Sequence, residues 1–515
     1  MKKIFIGILC CCLLAGCSVG GKEAYEPTGK GLSWEENYTG PVADTPPVAS
    51  DQELTLTCYP NLPMNPLKSS DFTNRALYSL IYQSLFVVDR EYRAEPMLCR
   101  RYSRSADMKT YTFYLENATF SDGSKLTAQD VVATLQAAKE SAIYSGRFRH
   151  ISEILIAPDG GVRLQLNTAY ENLPLLLDIP ILKQSEVDSS DPLGTGPYVL
   201  ERNALGMRLR RRTKWWCTAK MSVTAPVIEL VAAESPTQIR DNFEFSDLGV
   251  VCADPGTDNY ADFRCDFELW DCENGIFLYL ACNMESEVFS NDQLRQALTY
   301  AIDRDALAEE HYRGFARSAV LPMSPQCPYY SQKLADAYSF DKARFAKAVE
   351  EAALLQEEPL VFLVNSDDSL RVRVARDIRD LLVECGLKVT MWELPSNRYR
   401  EVLFYRNYDI YLGQTMLSAT MDLSPFFYTA GALSYGNISD VATYSLCLEA
   451  LANHGNYYTL HQKVMEEGLL CPVLFRSYAI YATRGLVSDL TPSRDNVFYY
   501  SLGKTMENAL IKSSQ

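Results

Sequence analysis

The sequence predicts an α/β protein of two lobes, and three observations predict it. Apolar and polar residues alternate between turn residues in the first third, as in antiparallel hairpins. A strand–helix–strand pattern over residues 360–392 gives a βαβ unit and therefore a parallel sheet. The 515 residues also exceed what one apolar core usually organises.

Glu53 to Cys58 alternates Leu54, Leu56 and Cys58 with polar residues and reads as a half-buried strand, followed by a Pro-rich loop from Tyr59 to Pro66. Asp71 caps a helix expected to run to about Phe86, with Ala76, Leu77, Leu80 and Ile81 on one face. Tyr111 to Leu115 is a strand, Phe120 to Ser124 a turn on Asp122-Gly123, and Thr127 the cap of a helix carrying Val131, Val132 and Leu135. Ile154 to Leu166 forms a hairpin around Asp159-Gly160-Gly161. Farther on, Ser290 with Gln293 makes a capping box before the stripe Leu294, Ala297, Leu298, Ala301 and Ile302. Leu360 to Val364 is a strand, the helix from about Asp368 to Cys385 stops at Gly386, and strands resume at Leu387 to Trp392 and Asp409 to Gly413.

The balance of 49 Lys+Arg against 65 Asp+Glu gives a net charge of −16, which argues against a nucleic-acid partner. The 21 Phe, 32 Tyr and 5 Trp exclude a disordered chain. Met1-Lys2-Lys3 and the apolar run from Ile4 to Ala15 form a leader too short to remain a membrane span. Its end, Leu14-Ala15-Gly16-Cys17, resembles the lipobox of bacterial lipoproteins, which implies cleavage after residue 16 and a lipid on Cys17. An ordinary signal peptide or an uncleaved anchor is the alternative. Residues 17–50, rich in Gly and Pro, read as a tether.

Of 15 Cys, 11 remain beyond Cys17, an odd number that cannot all pair within one chain. There is no CxxC, HExxH, GxSxG, GxxxxGK[ST] or GxGxxG, so neither a catalytic centre, a metal site nor a cofactor is expected. Asp258, Asp262 and Asp266 read as a solvated acidic face, and Trp215 and Trp216 as core packing.

Five ordered motifs then carry a resemblance: Met64-Asn65-Pro66-Leu67; Leu80 to Phe86 with Asp89; Tyr111-Thr112-Phe113 leading to Phe120 to Val131; Gly194-Thr195-Gly196-Pro197-Tyr198 followed by Trp215-Trp216; and Asn291 to Arg304. Over residues 51 to 485 the chain resembles the family 5 extracellular solute-binding proteins, lipoproteins that deliver oligopeptides, nickel or opines to ABC importers. The resemblance implies a two-lobed periplasmic-binding-protein-like clamshell with mixed sheets: lobe I over 51–279 with an inserted subdomain near 72–174, lobe II over 280–474, and a return to lobe I over 475–515. The hinge would lie at Gly275 to Asn283 and Cys471 to Ala482. It implies a monomer, anchored by Cys17 on the outer face of the cell membrane, that hands a small ligand, foremost an oligopeptide, to ABC permease and ATPase subunits. A ligand-sensing lipoprotein without transport, a narrow-specificity binder of a non-peptide solute and a surface hydrolase are the other readings.

Peptide binders of this family place an Asp shortly after the second-lobe strand, where this chain has Gln414-Thr415-Met416-Leu417-Ser418 and reaches Asp422 only later. The ligand is accordingly expected among Tyr59, Asn61, Gln414, Thr415, Met416 and Asp422, with Met416 as core filler and Asp422 as a helix cap for the alternative readings.

Overall fold

A computed structural model describes residues 32–33 and 54–498, apart from 205, 219–224, 246–247, 256–262, 264, 353–355, 485, 487–491 and 495. The leader, Cys17, Asp258 and Asp262 lie outside the described residues. In chain order the strands are Leu32–Ser33 (β1), Thr55–Cys58 (β2), Phe86–Val88 (β3), Ala94–Pro96 (β4), Cys99–Arg104 (β5), Thr110–Leu115 (β6), Ile151–Ile156 (β7) and Val162–Leu166 (β8). There follow Tyr198–Asn203 (β9), Gly206–Arg211 (β10), Val227–Ala232 (β11), Val250–Ala253 (β12), Phe267–Cys282 (β13), Ala316–Ser318 (β14), Leu360–Asn365 (β15), Val389–Leu394 (β16), Ile410–Met416 (β17) and Cys471–Thr483 (β18).

One long sheet orders them β16-β15-β17-β13-β18-β12-β2-β11-β10-β9, with β1 beside β13 and β14 beside β18. A separate antiparallel sheet, β5-β6-β8-β7, packs with the helix Ala128–Glu140, whose capping box joins Thr127 and Asp130. The βαβ unit is present, since β15 and β16 pair in parallel around the helix Ser369–Glu384 capped by Asp368.

Two local expectations are corrected. Asp71 does cap a helix, but only the single turns Phe72–Arg75 and Tyr78–Ile81 form before β3 begins at Phe86. The backbone of the second turn is held by Gly194-Thr195-Gly196: Gly196 N–H donates to the Ile81 carbonyl at 2.9 Å, and a Cβ on Gly194 would lie 2.0 Å from that oxygen. These glycines are therefore required for close approach rather than for a bend. The helix Asp292–Ala297 is capped by Asn291, whose Oδ1 accepts from the N–H groups of Gln293 (2.9 Å) and Leu294 (3.3 Å); the Ser290 box does not form.

β13 and β18 hold the molecule together. β13 spans 16 residues, pairs with β18 over Phe267–Glu273 and again over Phe277–Leu280, and pairs with β17 over Ile276–Cys282. Trp270 and Cys272 enter the core made mainly by residues 54–250 and 478–498, whereas Leu278 and Leu280 enter the core of the β15–β17 region. β18 divides in the same way, with Tyr478 and Ile480 in the first core and Val473 and Leu474 in the second. All 11 cysteines from Cys58 to Cys471 are free, and none is exposed; burial pushes thiols such as Cys58 and Cys471 up to about 11, so they act as small apolar side chains.

Candidate functional site

Strand direction fixes where a site lies. β2, β11 and β12 are mutually parallel and run antiparallel to β18, while β15, β16 and β17 are mutually parallel and run antiparallel to β13. Because β13 and β18 are themselves antiparallel, the carboxyl ends of the two parallel groups face each other across the crossing strands. Carboxyl ends of strands are where open α/β sheets build their clefts.

Arg476 of β18 sits at that junction with 6% of its side chain exposed. Its Nη2 donates to both oxygens of Asp254, just past β12, at 2.6 Å. Its Nη1 donates to Oε1 of Gln414 in β17 at 3.1 Å and lies 3.6 Å from the Asp368 carboxylate. Tyr312 places its ring 5.5 Å from the guanidinium. Burial works against the charge, but carboxylates from both strand groups outweigh it and raise the pKa.

A second buried cluster lies beside the Asn274-Gly275 irregularity of β13. Asp271 takes Arg90 Nη2 at 3.1 Å and Arg317 Nη2 at 3.2 Å, and Glu273 accepts from Tyr92 and, at 2.9 Å, from Ser324. Burial pushes the Glu273 carboxyl above its usual range against the opposing charge of Arg317.

Next to this cluster opens a cavity of about 130 Å³. Its walls are the turn Tyr78–Ile81 with Arg75 and Gln83, the loop residues Tyr144 and Arg147, Asp178 and Pro180, Trp215, and the returning segment Ser493, Arg494, Asn496 and Phe498. Arg147 and Asp178 form an ion pair, and both are half-buried. Trp215 is buried as expected, donating Nε1–H to the Thr195 carbonyl at 3.0 Å, yet it also faces the cavity. Trp216 donates to Gln83 Oε1 at 2.8 Å. Three guanidinium groups against one carboxylate make the cavity cationic.

None of the six residues singled out in the sequence lines this cavity. Tyr59 is half-buried, its N–H donating to Asn74 Oδ1 at 2.8 Å, and Asn61 is exposed. Gln414 is held by Arg476, Thr415 is half-buried beside it, and Met416 is 46% exposed. Asp422 accepts from the Ser424 N–H at 2.8 Å and lies 3.4 Å from His150 Nε2. Burial alone would raise its pKa, but the hydrogen bond and charge of His150 bring it below the usual value. With Tyr170 OH 2.7 Å from Thr420 Oγ1 and His454 N–H donating to Glu171 at 2.9 Å, Asp422 belongs to a seam between residues 149–171 and the segments 417–427 and 454–457. Arg494 joins the cavity to the predicted loop, donating Nη2–H to the Leu417 carbonyl at 2.8 Å. The missed residues come from seven separate segments; only the excess of Arg over acid among them carries any sequence signal.

No helix among the described residues is long and apolar enough to cross a membrane. Residues 93–437 match the description "Bacterial extracellular solute-binding proteins, family 5 Middle". The glutathione-binding protein GsiB of Salmonella typhi is 22% identical over 354 residues, covering 65% of this chain and 68% of that protein. The ABC transporter substrate-binding protein CtaP of Listeria monocytogenes superposes with a TM-score of 0.72 at 17% identity, covering 88% of this chain and 98% of that one. The oligopeptide-binding protein AppA of Bacillus subtilis, solved with a nonapeptide, gives 0.62 at 17% identity over 89% of this chain and 99% of its own.

Proposed function

The chain belongs to the bacterial extracellular solute-binding proteins, family 5, the binding components of ABC importers, and from this we propose that it captures a short peptide between two lobes and delivers it to an ABC permease with its ATPase. The observation that carries the peptide reading is the cationic, aromatic-walled cavity, which lies within the 51–279 and 475–515 part and adjoins the rest of the chain through the Arg494–Leu417 hydrogen bond. Its arginines suit a carboxylate, and Tyr78, Tyr144 and Trp215 suit a side chain. Solute-binding relatives named for glutathione and for an oligopeptide support the same class.

In this reading the lobes are 51–279 with 475–515, and 280–474, and the hinge is where β13 and β18 pass from one core to the other. A ligand that touches both lobes favours the closed form by its extra contacts there, which is the signal a permease reads. Exposed Met416 and Thr415 meet the part of the ligand that projects from the cavity, and Cys17 carries the lipid that keeps the monomer at the outer face of the membrane. The test is mass spectrometry of what the full chain, purified from peptide-rich medium, releases on unfolding. Short peptides at near-equimolar amount are the expected result; a single non-peptide solute overturns the peptide reading.

A further inference from the structure

Two helices of the β15–β17 region bring together three metal-ligating side chains, none of which lines the cavity. Glu310 and His311 stand in the last turn of the helix Arg304–Tyr312, and Asp377 lies midway along the helix Ser369–Glu384. One ligand atom from each, an imidazole nitrogen and two carboxylate oxygens, lies within 4.8 Å of the others. His311 Nε2 is 2.6 Å from Asp377 Oδ2. The imidazole forms the floor, with 8% of its side chain exposed, while Asp377 at 43% and exposed Glu310 leave the outer side open to solvent. Both backbones are fixed from below, because Leu307, one turn before His311, and Val374 and Ile378, which flank Asp377, pack in one core.

Neither carboxylate pairs with a Lys or Arg among the described residues, although the helix Ser369–Glu384 carries several arginines. Arg371 turns to Asp368, Arg376 to Glu393 and Arg379 to Asp380. Two carboxylates therefore meet at the carboxyl end of a helix, where the backbone dipole adds negative potential, with only an imidazole between them. We propose that Glu310, His311 and Asp377 bind a divalent transition metal of the zinc class, with water completing the coordination. One nitrogen and two oxygens suit zinc better than magnesium or calcium, which prefer oxygen throughout. Donor atoms on one zinc ion stand about 3.0–3.6 Å apart. A small opening of the His311–Asp377 pair and a swing of the exposed Glu310 side chain close the site to that size. The ion staples the two helices that also hold Arg476: Tyr312, next to His311, sets its ring 5.5 Å from that guanidinium, and Asp368, the cap of the second helix, lies 3.6 Å from it. Metal binding thereby stiffens the junction of the strand groups, whatever the cavity holds. No sequence spacing announces the site, because Asp377 follows His311 by 66 residues.

The test strips the full chain, carrying no histidine tag, of metal with a chelator and titrates it with zinc chloride by calorimetry and thermal shift. One Zn²⁺ per chain is expected, with a rise in Tm that Mg²⁺ at equal concentration does not give. Co²⁺ in its place is expected to show the visible bands of a nitrogen- and oxygen-bound ion. His311→Ala is expected to weaken Zn²⁺ binding at least about tenfold. Glu310→Gln, at an exposed position that folding does not need, is expected to weaken it by a smaller factor and guards against a variant that fails to fold. Binding that both variants leave unchanged, an equal response to Mg²⁺, or a cobalt spectrum dominated by a thiolate band overturns the assignment. So does the absence of saturable Zn²⁺ binding by the parent. None of these outcomes bears on the release of peptides, so the importer reading is judged separately.

Discussion

Arg476 and Arg494 are both buried cations beside the same pair of crossing strands, and they differ in how completely the chain itself satisfies them. Arg476 is bonded to Asp254 and Gln414 and faces Asp368 and the Tyr312 ring, groups drawn from both sides of the crossing. Arg494 has one carbonyl, one distant ring and the nearby charge of Glu273, and its second terminal nitrogen is buried beside Gly275 without a hydrogen-bond partner. Arg476 is a fastener although its Nε is buried without a partner, because both of its terminal nitrogens are already engaged. Arg494, with one terminal nitrogen bonded and the other bare, ties the returning segment to the Leu417 loop less completely.

The largest test of this contrast is Arg476→Met. It takes the buried cation away from Asp254 and Asp368, of which Asp368 keeps Arg371, and removing one partner of a buried pair costs about 3–5 kcal/mol. Chemical denaturation should show that loss, whereas Arg494→Gln, giving up a single hydrogen bond, should cost only about 1–2 kcal/mol. If the two variants lose the same stability, the division into a complete and an incomplete fastener is wrong.

His461 sharpens the comparison from another side. Neither of its ring nitrogens has a partner among the described residues, but it lies in the helix Tyr457–Glu466, which packs in a separate core with Phe277, Tyr279 and Phe475, off the cavity, and burial pushes its pKa down to about 3. A bare nitrogen there means a neutral imidazole. The folded pKa lies below the unfolded value of about 6.5, so the unfolded chain takes up the proton first and stability is lost as the pH falls from there toward 3. Between pH 6 and pH 4 the loss approaches about 1.4 kcal/mol per unit. In His461→Leu this part of the acid limb should flatten, measured as stability against pH relative to the parent; an unchanged slope would show that the imidazole is charged or solvated.

Gly275→Ala acts on Arg494 without touching it. Gly275 has φ +72°, and an added Cβ would lie 3.0 Å from Arg494 Nη1 and 3.2 Å from the Leu417 carbonyl. Left-handed backbone costs a non-glycine residue about 1–2 kcal/mol, and the crowding falls on Arg494 Nη1 and the Leu417 carbonyl. The variant should lose at least that much stability in chemical denaturation. An unchanged midpoint would show that neither the backbone nor the Arg494–Leu417 contact resists the added methyl.

The fold was legible in the sequence where a pattern is local. The βαβ unit around Asp368 and Gly386, the helix cap at Thr127 and the hairpin around Asp159 each depend on neighbours a few residues away, and each forms, while the equally local box at Ser290 gives way to a cap by the adjacent Asn291. Expectations failed where a partner distant in sequence decided the outcome. The helix after Asp71 breaks into two turns where Gly194 and Gly196 press on Ile81, more than a hundred residues ahead in the chain. The site follows the same rule. Gln414, Thr415 and Met416 stand at the carboxyl end of β17, a position a strand pattern reveals, and they do adjoin the crossing. Arg494 comes from a short Pro- and Asn-containing segment with no periodicity, and only the return of β18 carries it to the cavity and to Leu417. Asp422 shows the converse, since nothing in its own segment announces that His150 stands against it.

Met416→Ala should give the smallest effect, and its smallness is informative. With 46% of its surface exposed the side chain contributes little to folding, so stability should stay within about 0.5 kcal/mol of the parent. A bound peptide that projects from the cavity would bury that exposed thioether, worth about 1 kcal/mol or roughly a fivefold change in affinity. Calorimetry with a tripeptide pool should show that loss of affinity at unchanged stability. A loss of stability as well would mean that Met416 acts by moving Leu417 and hence Arg494, so that the loop after β17 and the returning segment form one binding element rather than two.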